Sequence, residues 1–211
     1  MNPTATRPYH HGNLRQALLD ATLDLAAETG LDQVSLREVA RRVGVSSGAP
    51  FRHFKDRRAL MTAIAEEATR QLRIRVERDQ QSAQGDAMDH LKVLGRSFLE
   101  WALSHPTQFR LVSSRQLFDF ESSNSLKQHF AAVRSVTLAL VAQAQQAGQL
   151  PASVPGEQLG MALRASAYGL ARMAVDGQLP QWGVPASAEA QTALSCLDLL
   201  VETMRIGRYP D

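Results

Sequence analysis

Residues 44–58 read Gly-Val-Ser-Ser-Gly-Ala-Pro-Phe-Arg-His-Phe-Lys-Asp-Arg-Arg, and two kinds of chemistry fit those side chains. Gly44-Val45-Ser46-Ser47-Gly48 matches the Gly-x-Ser-x-Gly elbow, which would make Ser46 the nucleophile of a serine esterase. The other chemistry is polyanion binding. Arg52 can pair bidentately with guanine O6/N7 or grip a phosphate, while His53, Lys55, Arg57 and Arg58 can hold a phosphate backbone without reading bases. An elbow needs a strand feeding a sharp turn into a helix. The residues before Gly44 carry a helical pattern and nothing in the chain resembles a parallel sheet, so nucleic-acid binding is the preferred reading.

Other reactive side chains point to no catalytic set, metal or cofactor. The pair His10-His11 diverges in side-chain direction and has no carboxylate or thiol at ligand spacing, so it reads as an arm near phosphate. Cys196 is the only cysteine, which excludes an internal disulfide and fits a reducing cytoplasm. It lies in the apolar run Leu194–Leu200 with no basic neighbour to activate it, so it reads as inert packing.

A helix-turn-helix would position the basic group. Ser35 as N-cap and Glu38 three residues on make a capping box, and Leu36, Val39, Ala40 and Val43 give one apolar face. Gly44 stands where a helix exits through a left-handed residue. Val45 plugs the corner, and Ser46 or Ser47 can cap a second helix presenting Arg52 and His53. Pro50 costs little if that helix starts at Ser47, and one helical bond if it starts at Ser46; the start at Ser47 is preferred.

The whole chain reads as all-helical, about nine helices in all, because no segment alternates as strands do. The expected helices are Leu14–Thr29 with Asn13 as cap, the two of the helix-turn-helix, and a long one over Arg57–Asp79 capped by Asp56. Beyond a boundary at Gln80–Asp86 come Ala87–Ser104, Thr107–Phe118, Ser125–Ala147, Gly156–Asp176 and Ser187–Arg205. The domains expected are residues 9–72, binding DNA, and residues 85–207, binding an effector and a second copy of the chain. The net charge of +2 hides a split: residues 1–78 carry 13 Lys+Arg against 9 Asp+Glu, and residues 79–211 carry 10 against 12. A basic end on a near-neutral body suits a protein that meets a polyanion at one end. No run approaches the ~20 apolar residues of a membrane span, and residues 1–8 lack the apolar core of a signal peptide, so no membrane partner is expected.

With these residues in place, the first third resembles the TetR/AcrR family of one-component transcriptional regulators. The matching stretches are Tyr9-His10-His11-Gly12-Asn13-Leu14-Arg15, Leu36-Arg37-Glu38-Val39-Ala40, Gly44-Val45-Ser46, and Phe51-Arg52-His53-Phe54 followed by Leu60. The resemblance implies a homodimer on an inverted repeat in double-stranded DNA. It would usually be a repressor, released when its C-terminal domain takes a small molecule, with an activator as the alternative. Carried onto this chain, the DNA contacts are Ser35, Arg37, Ser46, Ser47, Gly48 and Ala49, then Phe51, Arg52, His53, Lys55 and Arg57. Pro50 and Phe51 depart from the family pattern, which more often has an apolar residue with an N–H and then a tyrosine. Phe51 can touch a thymine methyl or simply pack.

In the second domain, Phe98, Trp101, Phe109, Phe118, Phe130, Tyr168 and Met173 are the large side chains available to an effector site, with Trp101 and Tyr168 supplying polar tips. Arg164 or Arg172, if turned inward, would favour an anionic effector. The stripes Leu159, Leu163, Leu170 and Leu194, Leu197, Val201, Met204 suit a two-fold four-helix interface.

Overall fold

Four of the described helices begin where a short side chain takes up backbone N–H groups that have no partner inside the helix. Ser35 Oγ accepts from Glu38 N at 3.2 Å, and Asp56 Oδ1 from Ala59 N at 2.7 Å. Asp86 Oδ1 accepts from Met88 N and Asp89 N, and Asp89 Oδ2 from Asp86 N at 3.1 Å, which closes a reciprocal capping box. In the computed structural model, which describes residues 14–205, the α-helices are α1 (Leu14–Thr29), α2 (Leu36–Val43), α3 (Arg57–Ser82) and α4 (Ala87–Ser104). They are followed by α5 (Pro106–Val112), α6 (Asn124–Gln146), α7 (Gly156–Val175) and α8 (Glu189–Thr203). Among the described residues there is no strand, so the fold is all-helical.

Two expected helices differ. The recognition helix is a single 3-10 turn over Ala49–Arg52, so eight α-helices are present among the described residues. The helix expected over Thr107–Phe118 stops at Val112, where Ser114 turns its hydroxyl back onto Arg110 O at 2.9 Å. A second short turn follows at Arg115–Leu117. The Asn13 cap, the Tyr9–Asn13 stretch with its histidines, and the domain limits at residues 9 and 207 lie outside the described residues.

Two apolar cores organise the helices, and α3 runs through both. The first gathers α1, α2 and the start of α3 around Leu18, Val39, Phe54 and Met61. The second gathers α4 with α6, α7 and α8, and takes Ala68, Leu72 and Val76 from the rest of α3. The seam therefore crosses α3 between Ala65 and Ala68 instead of following the loop at residues 83–86. Three residues from beyond that loop, Leu111, Phe118 and Leu126, are buried in the first core. At the centre of the second body α4 packs on α3, α6, α7 and α8. Gly95 lets α8 approach closely, since a Cβ there would stand 2.9 Å from Leu197 Cδ2.

Truncating Phe118, which is 0% exposed, leaves a cavity at the seam. Phe118→Ala is expected to cost about 3–5 kcal/mol in urea unfolding. Asp86 predicts an acid-side effect. Hydrogen bonds from Arg205 above all, with further ones from Met88 N and Asp89 N, hold its carboxyl well below its ordinary value of 3.8. A depressed carboxylate contributes stability above its unfolded pKa and loses it as pH falls. Wild-type protein should therefore lose more unfolding free energy than Asp86→Asn between pH 6 and the acid range below about 4, and equal losses would show that Asp86 is not the group responsible.

Candidate nucleic-acid interface

The turn after α2 is held at both of its ends and bare between them. Gly44 leaves α2 in the left-handed region, with φ 78° and ψ 31°, while Gly44 N and Val45 N bond back to Arg41 O and Ala40 O at 3.2 and 3.0 Å. That closure aims the chain into the 3-10 turn. Pro50 and Phe54 are buried, and His53 N and Phe54 N both donate to Pro50 O at 2.9 Å. Phe51, Arg52 and His53 project from the span between these anchors, and all three are exposed. Phe51, 51% exposed, is free to meet a ligand and is not a packing residue.

Expected capping at this turn is absent. Gly48 occupies the cap position without a side-chain hydrogen bond, so neither Ser46 nor Ser47 caps it, and Pro50 falls at the start, where its missing N–H costs nothing. The capping box of α2 is half made: Ser35 accepts from Glu38 N, but the Glu38 carboxylate takes Arg41 Nε at 3.0 Å instead of reaching back. The Gly44–Gly48 match to a nucleophile elbow has a helix before it and a 3-10 turn after it, so the strand that would strain and expose Ser46 is missing.

Cations around the turn divide into occupied and free. Arg41 pairs with Glu38, and Arg42 with Glu28 of α1. Arg57 donates Nε to Val34 O at 2.9 Å and Nη2 to Leu31 O at 2.6 Å, so it ties down the α1–α2 connection instead of standing free for phosphate. Arg37, Arg52 and Lys55 are exposed and form no ion pair or hydrogen bond among the described residues. Ser35, Ser46, Ser47 and Gly48 are exposed on the same stretch, and Ala49 is half-buried. A surface with this sign and these bare serines and glycine suits close approach to a sugar-phosphate backbone.

Behind the turn lies a cleft of about 300 Å³, lined by Arg15, His53, Phe54, Lys55, Arg58 and Glu66 among others, and closed by Asp119 and Ser122. Three hydrogen bonds fasten that closing loop to α3: Arg58 Nη2 to Phe118 O at 3.3 Å, Asp119 N to Thr62 Oγ1 at 2.9 Å, and Ser123 Oγ to Glu66 Oε1 at 2.6 Å. Nothing in sequence spacing signals this contact, because the partners stand 57 to 60 residues apart.

The second-body residues fall into two groups. Phe98, Trp101, Phe109 and Tyr168 form one run of rings, with centroids 6.5, 6.1 and 5.7 Å apart, and Met173 packs on the same core. Trp101 is 1% exposed and its Nε1 has no hydrogen-bond partner among the described residues. Phe118 and Phe130 belong elsewhere, at the seam with the first core. Arg172 pairs with Asp176 at 2.5 Å and Arg164 is exposed, so neither turns into the ring run. Of the expected interface residues, Leu159, Leu163, Leu197 and Val201 are buried within the protomer, and Leu170, Leu194 and Met204 pack against the same core. Met161 and Leu199 are the bare apolar side chains of α7 and α8, at 66% and 65% exposure. Cys196 is exposed and not packed.

A helix-turn-helix that presents unpaired cations on a short turn, joined to a larger helical body, defines a DNA-binding regulator with an N-terminal reader. Residues 18–64 match the model for bacterial regulatory proteins of the tetR family, and residues 91–199 match the tetracyclin repressor-like C-terminal domain. The chain belongs to the TetR family of transcriptional regulators. The HTH-type transcriptional regulator BetI of Klebsiella pneumoniae (strain 342) is 36% identical over 123 residues, 49% of this chain and 63% of the relative. BetI of Escherichia coli O127:H6 is 32% identical over the same shares. The chain thus spans 63% of the length of the curated relatives it matches. A protein of unknown function from Rhodococcus sp. RHA1 superposes with a TM-score of 0.72 at 29% identity, over 92% of this chain and 98% of that one. These curated relatives and the family are regulators and not enzymes. Among the described residues no helix is long and apolar enough to cross a membrane.

Arg57→Met removes two charged hydrogen bonds to carbonyl groups. It is expected to lower stability by about 1–3 kcal/mol while leaving the salt dependence of DNA binding unchanged; a shallower slope would instead mean that Arg57 touches phosphate.

Proposed function

We propose that this regulator is a cytoplasmic homodimeric repressor that occupies an inverted-repeat operator in double-stranded DNA and is released by a small-molecule effector. The observation that carries this reading is the exposed, unpaired set Arg37, Arg52 and Lys55 around a turn anchored at Pro50 and Phe54. Arg52 reads a base edge, Phe51 lies against a thymine methyl, and Ser35, Ser46, Ser47, Gly48, Ala49, His53 and Lys55 hold the backbone. An activator would use the same contacts, because the sign of regulation follows from where the operator lies relative to a promoter.

The partner protomer meets α7 and α8 through Met161 and Leu199, the bare apolar side chains of those helices. The effector enters the run of rings at Phe98, Trp101, Phe109 and Tyr168 and offers an acceptor to the buried Trp101 N–H. The fastening of residues 118–123 to α3 supplies a route from that body to the reader.

Selection of duplexes from a random pool at about 0.15 M salt should recover an inverted repeat with half-sites near one helical turn apart or a multiple of it. Arg52→Ala should weaken binding to that repeat by about 1–3 kcal/mol and leave random DNA little affected. No enrichment, even after denaturing and refolding to strip a co-purified effector, would reject the operator reading.

A further inference from the structure

We propose that Arg115 and Arg164, gathered around the Phe130 ring, bind the carboxylate of an effector that carries an apolar body. This rests on the effector-release reading and names the class of effector. Four arginines of the second body are paired with acids: Arg96 with Asp198, Arg110 and Arg172 with Asp176, and Arg205 with Asp86; Arg134 on α6 is exposed and, among the described residues, lies against neither an acid nor a ring. Arg115 and Arg164 make no ion pair or hydrogen bond among the described residues. Their guanidinium groups lie instead over rings, Arg115 at 3.7 Å from the centroid of Phe120 and 5.1 Å from that of Phe130, and Arg164 at 5.9 Å from Phe130.

A ring face attracts a cation but does not neutralise it. Arg115 and Arg164 are both exposed, and two guanidinium groups beside Phe130 repel each other; desolvation against the rings, then the Arg164 charge, disfavour the cationic form of Arg115. Glu121, the acid that acts on Arg115, is exposed and lies 3.6 Å from Lys127, so it does not cancel the pair. An anion would offset the repulsion, and a planar guanidinium fork suits a carboxylate. Phe120 and Phe130, edge to face at 5.6 Å, give apolar surface beside the charge. Arg164 also stands one helical turn before Tyr168, whose ring packs on Phe109, so the anion site borders the ring run. The same two charges disfavour a cationic ligand. Occupancy would act next to Phe118–Ser123, the segment fastened to α3.

The test is calorimetric titration of the full chain, without DNA, using octanoate and benzoate. Octan-1-ol and benzyl alcohol serve as neutral counterparts and inorganic phosphate as an anion with no apolar body. The expected result is that at least one carboxylate binds, its alcohol and phosphate bind far more weakly, and Arg164→Gln loses about tenfold or more of the affinity. Arg172→Gln, whose wild-type side chain is held by Asp176, should bind as wild type does. Arg164 is exposed, so its variant should stay folded even if Arg115→Gln, which unstacks three rings, does not. Alcohols that bind as tightly as carboxylates, an unchanged Arg164→Gln, or no binding by either acid would overturn the proposal and leave the arginines as ring packing. Phosphate as tight as the acids would overturn the apolar-body half. Because no DNA is present, failure here leaves operator selection standing, and failure of selection leaves this titration readable.

Discussion

Leu111, Phe118 and Leu126 belong to the second body by sequence and are buried with the first by packing. The rest of the structure depends on that exchange. Burying each such side chain stabilises by about 1.5–3 kcal/mol, whereas an exposed ion pair contributes about 0–1 kcal/mol. The seam between reader and body is therefore set by apolar contact, and the bonds of Thr62 and Glu66 to the loop fix only its register. Because α3 is continuous through both cores, the helix whose Arg58 holds Phe118 O at the seam is also the one that begins beside the turn carrying Arg52.

Electrostatics sorts the arginines by what they face. Those against acids or carbonyl ends are fasteners: Arg57 on Leu31 and Val34, Arg58 on Phe118, Arg205 on Asp86. Arg37 and Arg52 stand bare at the reader and Arg115 and Arg164 stand against rings at the seam, while Arg134 is bare on α6. A net charge of +2 says little about either place. What matters for a polyanion is which cations have no internal partner, since only those can release counterions on binding.

The reader itself is a single turn and not a full recognition helix. Pro50 stands at its start, where the missing N–H costs nothing, and because it is buried it anchors that turn. Phe54 anchors the other side under Arg15, 5.6 Å from its ring centroid. With both flanking residues held, Phe51 has nowhere to pack and lies in the open.

Much of the architecture was legible in the sequence. Apolar spacing and local caps are properties of neighbouring residues, so α1, α2 and α4, the Gly44 exit and the Asp56 cap could be read directly from the chain. The basic run at Arg52–Arg58 and the family stretches identified the DNA-reading end for the same reason. Tertiary structure alone decided which cations stay free, because pairing depends on partners as far away as Leu31 for Arg57 or Phe118 for Arg58. It also decided that Leu163 and Leu197 face inward while Met161 and Leu199 face out, since a helical stripe shows amphipathicity but not which neighbour covers it. The placement of Phe118 in the first core and of Arg115 and Arg164 by one ring, Phe130, was beyond any local pattern, because it follows from how three helices and a loop close on one another.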